Sequence, residues 1–137
     1  MPLLANSTDG ALTRKRIETW AAKVEKVTVV AATDAATTQS AATLAGAGQV
    51  VYTMTPTTGR ALTTPTGAEL GAAFTDEAVG SSFEFSVVNL AASTHAITLT
   101  AGASGVTLVG SATVAAASSA SFVGVFTAAD TVSIYRK

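Results

Sequence analysis

The chain has no cysteine, one histidine, one tryptophan and three prolines, and only 12% of its 137 residues are charged. Without cysteine there is no disulfide framework and no thiolate chemistry, so stability must come from packing or association. Nucleophilic catalysis needs a nucleophile beside a base, and glycoside hydrolysis needs two carboxylates across a cleft. The single histidine, His95, stands just before the apolar Ile97 and reads as a turn-edge residue. Asp76–Glu77 is the only adjacent acidic pair and reads as solvated. A metal site would need a cluster of ligands at suitable spacing, and no such cluster exists. The sequence therefore points away from an enzyme and calls for no cofactor and no metal.

The scarcity of charge has a second meaning. A soluble domain carries charge on about 25% of its residues, roughly twice the fraction here. A surface this poor in charge is normally covered, which points to an assembly protein. Net charge is −1, too small for an electrostatic footprint on nucleic acid. Arg14-Lys15-Arg16 forms a short basic patch, but it lacks interleaved aromatics and reads as a solvated helix face. Gly102-Ala103-Ser104-Gly105 joins two apolar runs with no following helix or lysine, so it is not a phosphate cradle. Thr, Ser and Gly interrupt every apolar stretch before it reaches membrane-spanning length. Met1–Ala5 is too short for the apolar core of a signal peptide, so the expected compartment is the cytoplasm.

Two regions differ in character. In residues 1–49, Ile17, Trp20, Val24 and Val27 recur at spacings of three, four and three and mark one apolar stripe. This spacing predicts an amphipathic helix over 11–26, docking on its own domain or on a partner. A trimeric bundle of such helices and a basic nucleic-acid-binding arm are the alternatives. The stripe is the expected partner-binding surface, with Trp20 as its anchor. Residues 34–49 are nearly all Ala, Thr, Ser and Gly, and predict a linker or an arm lying on a neighbour.

Residues 50–137 predict a β domain. Phe83, Phe85 and Val87 alternate with Glu84 and Ser86, and Ile97 and Leu99 alternate with Thr98 and Thr100. Such period-two patterning buries one face of a strand. About eight short strands separated by turn formers predict an all-β fold, an antiparallel, jelly-roll-like β-sandwich behind an N-terminal helix and extended arm. A capping box at Thr66–Glu69 starts one brief helix. No internal repeat of fixed period stands out. In Ala120–Thr127, Phe122 and Phe126 share one face while Val123 and Val125 share the other, so both faces are apolar. Either this strand is central in a closed sandwich or its outer face meets another subunit, and in the favoured second reading Val123 and Val125 are the expected subunit interface.

The runs F-E-F-S-V-V-N (83–89), H-A-I-T-L-T-A-G (95–102), V-T-L-V-G (106–110), F-V-G-V-F-T (122–127) and V-S-I-Y-R (132–136) carry a resemblance. Together with the Thr64–Leu70 helix entry, they resemble small virion proteins of tailed bacteriophages. The resemblance covers residues 50–137 and rests on strand rhythm and composition. It implies a capsid decoration (cement) protein that binds the major capsid protein of a phage head as a homotrimer. Such a protein is assembled in the host cytoplasm and resides in the virion. A head or tail fibre, or a receptor- or glycan-binding tip, is the alternative it implies.

Overall fold

The computed structural model describes residues 21–75 and 77–137. Residues 21–25 are helical (α1), so Val24 lies on a helix, whereas Ile17, Trp20 and Asp76 fall outside the described residues. Strand β1 (Val27–Ala31) follows, then β2 (Thr37–Thr38) and helix α2 (Ala41–Ala45). Next come β3 (Gln49–Met54), β4 (Arg60–Thr63) and helix α3 (Gly67–Ala73). The rest is strand: β5 (Ser82–Asn89), β6 (Ile97–Thr100), β7 (Val106–Val109), β8 (Thr113–Val114), β9 (Ser118–Ala128) and β10 (Thr131–Arg136).

Two sheets form. The larger has the order β1-β3-β5-β9-β10-β7 and the smaller β2-β4-β6-β8. Through β8 the chain alternates between them, a strand in one and then a strand in the other. Twice it passes through a short helix before returning, so β1-β2-α2 and β3-β4-α3 are successive turns of one winding. Winding of this kind lays equivalent strands side by side in the same direction. β1, β3 and β5 are accordingly parallel, as are β2, β4 and β6.

The architecture corrects the expectation of an all-β antiparallel sandwich. The fold is mixed α/β, with three short helices and two mixed sheets. Among the described residues five strand pairings are parallel and three antiparallel. Side-chain alternation reports which face of a strand is buried. It is silent about which strand lies alongside, and the sheet-to-sheet crossing, not hairpin return, decides direction here.

Residues 34–49, expected as a linker or arm, contain β2 and α2. Ser40 caps α2, its hydroxyl accepting from the Thr43 amide at 3.2 Å, and Leu44 drives inward to 2% exposure. The second turn repeats the device with Thr66 as cap and Leu70 buried. Thr66 Oγ1 accepts from the Glu69 amide at 3.2 Å and donates to the Glu69 carboxylate at 3.1 Å. Val27 stands beside Gln49, and Gln49 beside Glu84, so the two turns consume 22 and 35 residues. That inequality hides the repeat from any search for a fixed period.

The core lies between the sheets. Phe83, Phe85, Phe122 and Phe126 meet there, with the Phe85 and Phe122 rings stacked at 5.2 Å and Phe74 joining from the end of α3. Gly124 faces the same side, opposite Phe83 in register, and a Cβ there would strike the Phe83 ring. Asn89 ties the end of β5 to the smaller sheet. Its amide nitrogen donates to the His95 and Val114 carbonyls at 2.8 and 3.0 Å, and its oxygen accepts from the Ala91 amide.

Candidate interaction surface

The outward face of the larger sheet is built by register. One row runs Val27, Gln49, Glu84, Val123, Tyr135 and Val109 across all six strands. The adjoining rows are Val29, Val51, Ser86 and Ser121, then Ala31, Thr53, Val88 and Ser119. On the other side lie Val125, beside Ser82 and Ser133, and Thr107. Glu84 is the only charge on these rows, and the Lys137 ammonium neutralises it at 3.1 Å. A polar seam crosses the middle, where Ser86 Oγ lies 3.1 Å from Ser121 Oγ and accepts from Gln49 Nε2 at 3.4 Å.

Among the described residues, several apolar side chains on this face are open to solvent. Val29 is 65% exposed and Val27 56%, and Val109 and Tyr135 are exposed as well. Val51, Val88, Val123 and Val125 are half-buried. The smaller sheet differs in kind. Its outward side shows Thr38, Thr63 and Thr100 in one row and Thr98 and Thr113 in the next, a surface that water solvates well.

Two of the residues singled out from sequence, Val27 and Val123, therefore share one row, with Val125 nearby. Val24 lies elsewhere. It lines a cleft of about 460 Å³ with Lys23, Ala47, Gly48, Phe74 and Phe83, where the Lys23 ammonium sits 6.0 Å from the Phe74 ring centroid. Cation and aromatic face attract at this range, and Thr75, Glu77, Ser81 and Ser82 supply the polar part of the lining. Sequence reasoning missed Val29, Val51 and Tyr135 as members of the outward face. Their alternation was visible, but the rows emerge only once β1 is known to pair with β3.

Asp34, between β1 and β2, accepts from Arg60 Nε at 2.6 Å and from the Thr57 amide and hydroxyl. These hydrogen bonds, the one from Arg60 first, hold its carboxyl well below the usual carboxylate range. His95 lies half-buried in the turn before β6. Among the described residues no three His, Cys, Asp or Glu side chains stand together to hold a metal ion. No helix among them is long and apolar enough to cross a membrane. No family model, curated protein or solved structure matches the chain.

Proposed function

We propose that the protein is a structural component of a tailed-phage virion, a capsid decoration protein that binds the major capsid protein as a homotrimer. The observation that carries this reading is the broad outward face of the larger sheet, apolar and almost free of charge. A face of this kind gains from being covered by another protein surface. Stacked phenylalanines and two capped helices support it from behind, so the face is preformed and loses little freedom when copies associate into the trimer. The strand rhythm of residues 83–136 supports the virion assignment. In this role the protein adds contacts between neighbouring shell subunits and resists expansion of the head.

The test is co-sedimentation of the purified protein with phage heads stripped of their decoration proteins, together with its mass by analytical ultracentrifugation. Saturable binding by a species three times the 13.6 kDa protomer is expected. A monomer that stays in the supernatant at every head concentration overturns the proposal.

A further inference from the structure

We infer that the outward face of the larger sheet is the surface through which copies of this chain meet one another. The inference rests on the proposed oligomeric role and names the face that serves it.

Three observations select a second copy as the occupant. The first is area. Six strands about 4.8 Å apart and about six residues long cover roughly 500–600 Å². Covering such a face with a neighbouring copy removes a similar area from each partner, on the order of 1,000 Å² or more in total, the lower bound for a specific protein interface. The second is charge. Glu84 and Lys137 already neutralise each other at 3.1 Å, so the face has no free charge with which to select an acidic or basic partner. A neighbouring copy therefore meets a face of near-zero net charge among the described residues, and near-neutrality of this sort suits self-association. The third is the adjoining edge. β1 pairs only with β3 among the described strands and ends the sheet. Its residues Val27–Ala31 include no lysine, proline or glycine, the devices that usually protect an exposed edge. Among the described residues, open face and open edge adjoin on the same sheet, whereas the smaller sheet presents threonines.

The absence of native cysteine makes the test direct. Val29→Cys places a single thiol on the face, and Thr98→Cys places one on the threonine side as a control. Both positions are exposed, so neither variant disturbs the core. Thiol-reagent labelling is followed at high and at low protein concentration, alongside the native mass. The expected result is labelling of Val29→Cys slowed at least tenfold in the oligomer and restored on dilution, with Thr98→Cys fast throughout. The variant Val29→Lys/Tyr135→Lys should then run at the protomer mass with an unchanged circular dichroism spectrum. An oligomer in which both thiols react equally fast overturns the assignment of this face and leaves the oligomeric role standing. A wild-type protein that is monomeric at every concentration overturns both.

Discussion

Asp34 is the residue whose titration the fold perturbs most clearly among the described carboxylates. Hydrogen bonds from Arg60 and Thr57 favour its charged form, so its folded pKa lies below the unfolded value of about 3.9. The stabilisation is therefore complete above that value and is lost as pH falls below it. Asp34→Asn is expected to leave a protein whose stability changes less between pH 4 and pH 2 than the wild type's, read by urea unfolding at each pH. An unchanged acid limb would mean that the Asp34–Arg60 contact does not persist in solution. Tyr52 behaves in the opposite sense. Burial pushes its hydroxyl up to about 12, and that hydroxyl has no hydrogen-bond partner among the described residues. Its contribution is intact below the unfolded pKa of about 10 and is lost as pH rises toward the folded one. Removing an unpartnered buried hydroxyl costs little or is favourable. Tyr52→Phe should leave stability at pH 7 unchanged or raised by up to about 1 kcal/mol and should soften the decline above pH 10. A loss of more than about 2 kcal/mol at pH 7 would show that the hydroxyl is bonded after all.

The helices are short, and their formation depends on caps more than on propensity. Thr66 satisfies an amide at the start of α3 and engages Glu69 with the same hydroxyl. Thr66→Ala should cost about 1 kcal/mol, read as a lower denaturation midpoint. No shift would mean that the packing of Leu70 alone holds α3. The contrast with α2 shows what was legible. Thr66–Glu69 announced α3 because its capping box has a sequence signature. Ser40-Ala41-Ala42-Thr43-Leu44 performs the same task with no Glu at the third position, and its alanines suit a helix and a linker equally. A single leucine reaching the core distinguishes the two, and only tertiary packing reveals it. The strands were easier. The alternation of Phe83, Phe85 and Val87 with Glu84 and Ser86 marked the strand Ser82–Asn89, because period-two patterning survives wherever one face is buried. Gly124 could not be read this way, since its role is to leave room for the Phe83 ring.

At the scale of the whole molecule, sequence patterning sorted side chains into inner and outer sets but could not order the strands. It placed Val123 and Val125 outward on β9, and the structure sets Val27 in register with Val123, three strands away. The doubly apolar β9 was the visible trace of a surface that spans the sheet. The winding itself was hidden because its turns differ by 13 residues in length. The strand order also constrains how the protein can be made. β7 lies at the far edge of the larger sheet, and its neighbour β10 comes later in the chain. β9 and β10 fill the gap between β5 and β7. A nascent chain emerging from the ribosome therefore carries β5 with an open edge and β7 with no neighbour until the final hairpin is synthesised. During that interval Phe83 and Phe85 lack the cover of Phe122 and Phe126. Completion of the sheet waits for the last strands, and the period before they arrive is when this chain is most exposed to aggregation.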